Sequence, residues 1–256
     1  MMNSFLPIKN KNIGILGAGR SGIAAGILAN HLGANVFITD LNKKGIKKNK
    51  DIEYEFGGHS NKILKSDFII KSPGIKLNSK IIENILDESI PIISEIEFAS
   101  WFTNGFIIGL TGTNGKTTTT ELINKILSDN KLRTLMGGNI GTPFSTNVLK
   151  EIKEKGNTNK VFHILEISSF QLQDIKYFKP NISVILNVKP DHLDWHGSFK
   201  HYLHSKLKIL QNQDKECHAI LNKNDIKINY KGVSANLILF SSNSKYMIVN
   251  DKEYKI

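Results

Sequence analysis

A short segment that joins a strand-like run to a helix-like run constrains the fold of this chain most. The segment reads TGTNGKT over residues 111–117, follows the apolar run 106–110 and precedes the helix-like run 118–127. A loop that passes from a strand into a helix directs backbone N–H groups and the positive end of the helix towards an anion. The pattern therefore predicts a phosphate-binding loop, with Lys116 on the outer phosphates and the Thr117 hydroxyl on Mg²⁺.

The spacing of the glycines differs from the strict Walker A pattern, which has a glycine where Leu110 stands here. An ordinary glycine turn is the alternative interpretation, but such turns rarely place Gly-Lys-Thr between a strand and a helix. We therefore predict a variant of the phosphate loop. The residues expected to contact the nucleotide are Gly112, Thr113, Asn114, Gly115, Lys116, Thr117 and Thr118.

Composition excludes several classes of protein. The single cysteine, Cys217, excludes an internal disulfide, no apolar run reaches transmembrane length, and the first residues lack the apolar core of a signal peptide. The formal charge is +11, but 32 of the 34 basic residues are lysine and no basic run is interleaved with aromatic residues. This pattern favours a solvated surface over nucleic-acid binding. We expect a cytoplasmic monomer that binds neither nucleic acid nor a membrane.

Apolar runs of strand length alternate with longer periodic segments, which predicts an α/β fold with parallel sheets. The length allows about two domains. A plausible hinge, WFTNG, lies at residues 101–105 between two series of strand-like runs. We therefore predict a Rossmann-like domain over residues 1–100 and a second α/β domain over residues 101–256. The predicted strands lie at residues 13–16, 35–39, 67–71, 91–94, 106–110, 134–136, 161–167 and 183–188.

The first series opens with a second glycine-rich loop. Residues 17–22 read GAGRSG directly after a strand-like run, and Asp40 closes the next run. This is the fingerprint of a dinucleotide-binding unit, with a pyrophosphate at the helix N-terminus and a ribose hydroxyl on the acidic residue. A nicotinamide dinucleotide and a nucleotide diphosphate sugar fit it equally well. The turn Ser72-Pro73-Gly74 lies at the same sheet edge, either as a ligand contact or as a plain surface turn.

Several strands of the second series end in residues suited to chemistry, at the edge where open parallel sheets bind ligands. Asn139 lies in a glycine-rich turn, and Glu166 precedes two serines; Glu166 either binds Mg²⁺ or caps the following helix. His192 follows the last predicted strand, whereas His196, His201 and His204 are expected to be structural. Lys206 lies within an apolar helical stripe. It either extends to solvent or is buried as a neutral amine, and such an amine can capture CO₂.

Taken together, these motifs resemble those of the Mur ligases, a family of ATP-dependent amide-forming enzymes of peptidoglycan synthesis. The loop at residues 111–117 is similar to the ATP loop that the family shares. The segment EISSFQL at residues 166–172 resembles the form found in the branch that adds D-glutamate. The segment DHLD at residues 191–194 and Lys206 are similar to the family's second metal site and its carbamylated lysine.

The resemblance implies a Rossmann-like domain for the UDP part of a substrate, followed by the P-loop-type central domain of the Mur ligases. It implies ATP, D-glutamate and UDP-N-acetylmuramoyl-L-alanine as substrates, two Mg²⁺ ions and an acyl-phosphate intermediate. The implied catalytic residues are Lys116, Glu166, His192 and carbamylated Lys206; the implied metal ligands are Thr117, Glu166, His192 and Lys206. The implied substrate contacts are Gly19, Arg20, Ser21, Asp40, Gly74, Asn139, Ser168 and His192. Leu41 and Asn42 differ from the polar and basic pair of some relatives, so the uracil contacts are not implied.

One feature of the family has no counterpart in this sequence. Mur ligases have a third domain that binds the incoming amino acid, and this chain ends at Ile256 before it. The family's late His-Asn motif does not occur either, and residues 237–256 read as short strands with a turn at Asn250-Asp251. We expect a fragment that does not turn over by itself. The alternatives are a nicotinamide-dependent oxidoreductase that uses residues 17–22 and a non-catalytic nucleotide-binding module.

Overall fold

The computed structural model describes residues 7–42, 48–76, 79–154, 160–225, 232–241, 246–249 and 252–255. The chain divides into two compact units. The first comprises residues 1–103, 143–155 and 174–176, and the second comprises residues 104–142, 156–173 and 177–256. None of the helices in the described ranges has the length and apolar character needed to span a bilayer. The predicted domain boundary after residue 100 stays a prediction.

The first unit is built on a five-stranded sheet whose strands all run parallel. Its strands are β1 (Asn12–Leu16), β2 (Asn35–Asp40), β3 (Glu53–Phe56), β4 (Phe68–Lys71) and β5 (Ile92–Ser94). Its helices include α1 (Arg20–His31), α2 (Lys80–Asp87) and α3 (Glu95–Ser100), with a 3-10 helix at Asn61–Lys65. The strand order β3-β2-β1-β4-β5 reverses at β1, so the glycine-rich loop after β1 lies at the switch point where such sheets bind ligands.

The second unit is built on an eight-stranded sheet. Its strands are β6 (Phe106–Thr111), β7 (Arg133–Gly138), β8 (Val161–Glu166), β9 (Ile182–Ile185), β10 (His218–Asn222), β11 (Asn236–Phe240), β12 (Tyr246–Val249) and β13 (Lys252–Lys255). The helices in this part of the sequence are α4 (Lys116–Asp129), α5 (Phe144–Lys153), α6 (Ser169–Leu172), α7 (Leu193–His196) and α8 (Phe199–Leu207), with a 3-10 helix at Lys208–Leu210. Helix α5 belongs to the first unit by its packing.

The order of the second sheet is β13-β12-β11-β10-β9-β6-β8-β7. Strand β6 therefore lies between β8 and β9, and the loop after β6 is again at a switch point. The prediction of parallel strands is confirmed from β7 to β11, whereas the last two strands, β12 and β13, pair antiparallel. Only two residues separate β12 from β13, too few for a parallel crossover, which agrees with the antiparallel pairing of the two strands. The turn predicted at Asn250-Asp251 lies outside the described residues.

Apolar residues from strands and covering helices form the core of each unit. In the first unit, Leu16 and Ile69 of the sheet pack with Ile82 and Ile85 of α2, and all four are fully buried. In the second unit, buried Leu110 and Ile164 have neighbours on α4. Burying an aliphatic side chain of this size stabilises the fold by about 1.5–3 kcal/mol. These clusters therefore stabilise β1 and β6, the strands that precede the two glycine-rich loops.

Glu95 is a carboxyl group in the core of the first unit. It begins α3 and is only 1% exposed. Its Oε1 accepts a hydrogen bond from the backbone N–H of Ser145 in the first turn of α5. Neither its Oε2 nor the Ser145 hydroxyl has a hydrogen-bond partner among the described residues. Burial raises the pKa of Glu95 from 4.5 to about 7, because the charged form loses its hydration.

We expect Glu95→Gln to stabilise the first unit above pH 7 and to change its stability little near pH 4.5. Since the pKa is higher in the folded state, the charged carboxyl destabilises the fold progressively from pH 4.5 to 7 and fully above that. Glutamine keeps an acceptor for Ser145, removes the charge and can donate to the Ser145 hydroxyl. The expected gain is about 1–3 kcal/mol above pH 7. Thermal unfolding at pH 5 and pH 8 measures it, and an equal effect at both pH values would contradict the assignment.

Candidate active site

The loop between β6 and α4 has the geometry of a phosphate cradle. Gly115 directly precedes α4 with a φ of +81°, a left-handed conformation that favours glycine. The Lys116 ammonium folds back over the loop and donates to the carbonyl oxygens of Gly112 at 3.0 Å and Thr113 at 2.9 Å. The ammonium is thus held beside the loop that would receive an anion. The predicted strand–loop–helix arrangement is confirmed.

Asn187 braces this loop from the end of β9. Its Oδ1 accepts from the Asn114 N–H at 3.0 Å, and its Nδ2 donates to the Asn114 carbonyl, also at 3.0 Å. Its own carbonyl accepts from the Thr113 N–H at 2.9 Å. One side chain therefore fixes the orientation of the peptide groups on both sides of Asn114. The predicted strand 183–188 extends too far: β9 ends at Ile185, and the residues after it turn towards the phosphate loop, where Asn187 makes these contacts.

Glu166, at the end of β8, joins the phosphate loop to the turn after β7. The carboxylate is 2% exposed; its Oε2 accepts from the Thr117 hydroxyl at 2.7 Å and its Oε1 accepts from the Asn139 amide at 2.9 Å. Gly138 has a φ of +102°, and a Cβ there would lie 2.3 Å from the Glu166 carbonyl oxygen. Only glycine lets this turn pack so closely on β8. Thr117, Asn139 and Glu166 thus lie together at three neighbouring strand ends.

The alternative in which Glu166 caps the following helix is wrong. Ser168 is the N-cap of α6: its hydroxyl accepts from the Gln171 N–H, and the Gln171 side chain accepts from the Ser168 N–H. This reciprocal capping box satisfies the first turn without the carboxylate. The Glu166 carboxylate is therefore available to the phosphate loop. The Ser168 hydroxyl is already engaged in the cap, and its predicted contact with a substrate stays a prediction.

Thr117 at the start of α4 and Glu166 at the end of β8 fit a magnesium ion. A Thr117 hydroxyl and a Glu166 carboxylate oxygen 2.7 Å apart supply two hard oxygen donors beside the phosphate loop. Mg²⁺ prefers such donors and completes its shell with phosphate oxygens and water. Within the described ranges there is no group of three or more His, Cys, Asp or Glu residues arranged to hold a metal. A cation at this position would therefore depend on the phosphate as much as on the protein.

Lys206 is buried against the phosphate loop. It lies on α8 and is 2% exposed; its Nζ donates to the Gly112 carbonyl at 2.8 Å and lies 4.7 Å from the centre of the Tyr202 ring. The interpretation in which this lysine extends to solvent is wrong, because α8 turns that face towards the loop. Burial, followed by the positive charge of Lys116, lowers the pKa of Lys206 from 10.5 to about 7. Much of this amine is therefore neutral and nucleophilic near neutral pH.

His192 packs near aromatic side chains, one of which, Tyr202, contacts the phosphate loop. It precedes α7 with a φ of 51°, and its ring centre lies 5.0 Å from Phe170 and 6.5 Å from Tyr202. The Tyr202 hydroxyl in turn lies 3.1 Å from the Thr113 hydroxyl. Tyr202 therefore touches the phosphate loop and packs near both His192 and Lys206. His196 is buried, hydrogen-bonds with Ser169 at 3.0 Å and stacks on Phe170, as expected of a structural histidine.

The glycine-rich loop of the first unit is equally constrained. A Cβ at Gly22 would lie 2.0 Å from the Gly17 carbonyl oxygen, whereas one at Gly19 would meet nothing within 4 Å. Gly22 is thus required for packing, and Gly19, the N-cap of α1, leaves room for a ligand. Asp40 accepts from the Ala18 N–H at 2.7 Å, which ties the end of β2 to this loop.

The predicted contacts of the first unit gather at one edge of its sheet. Arg20 and Ser21 begin α1, Asp40 ends β2, and Gly74 lies in the turn after β4. A cavity of about 390 Å³ opens beside the loop. It is lined by Ala18, Gly19, Arg20, Ile23, Ala24, Ile27, Pro143 and Thr146.

Comparison with known proteins decides the family. The family model of the Mur ligase middle domain matches residues 110–255, and that of the MurD N-terminal domain matches residues 12–81. The chain belongs to the Mur ligase family. The two models cover the phosphate loop and the glycine-rich loop described above, so both loops of this Mur ligase lie within family domains.

Curated relatives agree with this assignment, and solved structures show a similar fold. The UDP-N-acetylmuramoylalanine–D-glutamate ligases of Elusimicrobium minutum and Christiangramia forsetii are 45% and 40% identical to the chain, over 85% of it and 49% of their own length. The chain spans about half the length of the curated relatives it matches. The fold is similar to UDP-N-acetylmuramate:L-alanyl-gamma-D-glutamyl-meso-diaminopimelate ligase from Neisseria meningitides, with a TM-score of 0.58, 18% identity and coverage of 95% of this chain and 85% of that one. A murein peptide ligase from Psychrobacter arcticus gives 0.57 at 19% identity, with coverage of 94% and 59%.

Two residues of this Mur ligase site were not identified by sequence reasoning. Asn187 does not belong to the predicted site, although an amide just after a strand beside a phosphate loop is a usable signal. Tyr202 lies one helical turn before Lys206, on the same face of α8, and is 1% exposed. The helical spacing alone could have placed it beside the lysine.

Proposed function

We propose that this protein is an ATP-dependent ligase that adds D-glutamate to UDP-N-acetylmuramoyl-L-alanine. The observation that carries the proposal is the position of the Glu166 carboxylate. It accepts hydrogen bonds from both Thr117 of the phosphate loop and Asn139 of the neighbouring turn. A carboxylate in this position can link a nucleotide phosphate to a second substrate at the same sheet edge. The curated relatives that are 45% and 40% identical to the chain have this ligase name, which supports the choice of substrates.

In the proposed reaction the alanine carboxylate of the UDP substrate attacks the γ-phosphorus of ATP, and ADP leaves. The resulting acyl phosphate is attacked by the D-glutamate amine; the amide bond forms as phosphate leaves and the amine loses a proton. Lys116 places its ammonium where negative charge accumulates on the transferred group. The N-terminus of α4 and the loop N–H groups other than those of Thr113 and Asn114, which donate to Asn187, would bind the remaining phosphates. The protein supplies no covalent nucleophile and acts by positioning and charge compensation.

The proposal includes two magnesium ions. Thr117 and Glu166 would hold one of them, and Glu166, His192 and carbamylated Lys206 would hold the other. When bound, these ions screen the charge of the phosphoryl oxygens. The low pKa of Lys206 supports carbamylation, because only the neutral amine adds CO₂. The carbamate would replace a cation by an anion beside Lys116, which removes the repulsion between the two ammonium groups.

The first unit would bind the UDP part of the substrate. The open space at Gly19, the guanidinium of Arg20 and the N-terminus of α1 favour a pyrophosphate at this position. Ser21, Asp40 and Gly74 would also contact the UDP part, and Asn139, Ser168 and His192 would be the substrate contacts of the second α/β domain. The match of the MurD N-terminal model to residues 12–81 favours this reading over a nicotinamide dinucleotide. We also propose that the protein acts as a cytoplasmic monomer.

Titration of the 256-residue chain separates the proposal from its alternatives. The fluorescence of Trp101 and Trp195 is followed while UDP-N-acetylmuramoyl-L-alanine, UDP or NADH is added. We expect the UDP substrate to bind and NADH to bind far more weakly; tighter binding of NADH would favour an oxidoreductase. D-glutamate-dependent phosphate release by the full-length gene product then distinguishes the ligase from a non-catalytic module.

Asn187→Leu is expected to weaken ATP binding by about tenfold. Its side chain supplies two hydrogen bonds to the Asn114 peptide, each worth about 0.5–1.5 kcal/mol, and leucine supplies none. Calorimetric titration with ATP and Mg²⁺ measures the change. Binding of the UDP substrate serves as the control and is expected to stay the same. An unchanged affinity for ATP would show that the phosphate loop keeps its shape without this brace.

A further inference from the structure

Lys71 is a charged residue in the core of the first unit. It ends β4, and its side chain is fully buried. Its Nζ lies 3.0 Å from the Asp174 carboxylate and donates to the Ile75 carbonyl at 3.1 Å. A buried ammonium is stable only when such partners replace its hydration. The two partners belong to two segments far apart in sequence, so the ammonium connects them.

The first of these segments is the turn from Ser72 to Ile75. Its ends are joined by a hydrogen bond from the Ile75 N–H to the Ser72 carbonyl at 3.2 Å. The Ser72 hydroxyl donates to the Gly17 carbonyl at 3.0 Å, and a Cβ at Gly17 would lie 2.7 Å from Ser72 Cβ. A continuous series of contacts therefore leads from the Lys71 ammonium through the turn to the glycine-rich loop.

The second segment, residues 174–176, is fixed without the help of Lys71. The Asp174 carbonyl accepts from the Ser94 N–H at 2.9 Å, and the Lys176 N–H donates to the Glu97 carboxylate at 2.9 Å. Both contacts lie within the first unit. The Asp174 carboxylate is therefore a fixed anchor, and the ammonium held by it determines where the Ile75 carbonyl lies.

We propose that Lys71 is a positioning residue for the UDP substrate. It holds the turn that carries Gly74 against the glycine-rich loop that carries Gly19, with Asp174 as its counter-ion. The inference rests on the proposed function, because Gly74 and Gly19 matter to affinity only if a UDP-linked substrate binds there. A lysine that merely stabilised the unit would affect unfolding and leave the affinity of the folded protein unchanged.

The test compares Lys71→Met with Lys71→Met/Asp174→Leu in the full 256-residue chain. Methionine removes the donor to Ile75 and leaves the Asp174 carboxylate without its cation; the double variant removes both charges. We expect Lys71→Met to lower the melting temperature and to weaken binding of UDP-N-acetylmuramoyl-L-alanine by about tenfold, since the Ile75 carbonyl loses its donor. The double variant is expected to regain stability but to keep the weak affinity. If Lys71→Met does not fold, the double variant carries the test.

Three controls make the result specific. Calorimetric binding of ATP is expected to be the same in all variants, because the phosphate loop belongs to the second unit. Lys80→Met, at an exposed lysine on α2, is expected to bind the UDP substrate like the wild type. Asp174→Asn keeps an oxygen acceptor for the ammonium but removes its buried counter-charge, so its affinity for the UDP substrate is expected to lie between those of the wild type and Lys71→Met.

The outcomes separate the inference from the proposed function. If the wild-type chain does not bind the UDP substrate, the proposed function fails and the inference fails with it. If the wild type binds and the double variant binds equally well, the inference alone is wrong, and the ion pair is structural only. A loss of affinity in Asp174→Asn larger than that in Lys71→Met would also overturn it, because the contact to Ile75 would then not be the one that sets affinity.

Discussion

Lys116→Ala is expected to abolish turnover by the full-length gene product, with a loss of at least about 10³-fold in kcat. The Lys116 ammonium lies over the loop, in contact with the carbonyl oxygens of Gly112 and Thr113. In the proposed reaction it compensates charge on the phosphoryl group during transfer, and an alanine leaves that charge to the loop N–H groups and the proposed magnesium ions. D-glutamate-dependent release of phosphate from ATP measures the loss.

Lys125→Ala is the matched control, since Lys125 lies on the same helix, is exposed and pairs only with the nearby Asp129 among the ion pairs described. We expect it to keep wild-type turnover. Binding of the UDP substrate to the Lys116→Ala chain is expected to be unchanged, which would place the defect at the phosphates. If Lys116→Ala lowers turnover by less than about tenfold, the loss is too small for a group that contacts the transferred phosphoryl group. That result would remove Lys116 from the mechanism.

Both glycine-rich loops could be predicted from the sequence because local rules determine them. Gly115 needs a left-handed conformation before α4, and Gly22 has no room for a side chain beside Gly17. Such requirements appear in the sequence as glycines at fixed distances from an apolar run. The positions of the strands before these loops followed from the same alternation of apolar and polar segments.

Contacts between distant segments could not be predicted in this way. Lys71 follows an apolar run and reads as the polar end of a strand, and nothing in that pattern points to Asp174. Likewise, the pairing of Asn187 with Asn114 depends on β9 lying next to β6, which is a property of the sheet order. Strand β3 was missed because EYEF is short, polar and at the edge of its sheet. Partners of this kind are chosen by tertiary packing and not by local propensity.

Lys206→Ala is expected to lower kcat of the full-length gene product by about 10²–10³-fold, as for a lost metal ligand. The wild-type amine is buried beside the phosphate loop with a pKa of about 7, so its neutral, CO₂-reactive fraction grows as the pH rises from 6 to 8. We therefore expect wild-type turnover to increase over this range and to fall when dissolved CO₂ is removed. The variant cannot form a carbamate and should show neither the dependence on CO₂ nor that rise with pH.

A short carboxylic acid tests the chemical identity of the group that Lys206 supplies. Acetate or formate can enter the space that alanine leaves and offer the same pair of oxygens as a carbamate, so partial recovery of kcat is expected. Methylamine replaces the ammonium instead and should not restore activity. Lys200→Ala, at an exposed position on the same helix, is the control and should resemble the wild type. Recovery by methylamine alone would mean that Lys206 acts as a cation next to Gly112, and normal rates in Lys206→Ala would remove it from the mechanism altogether.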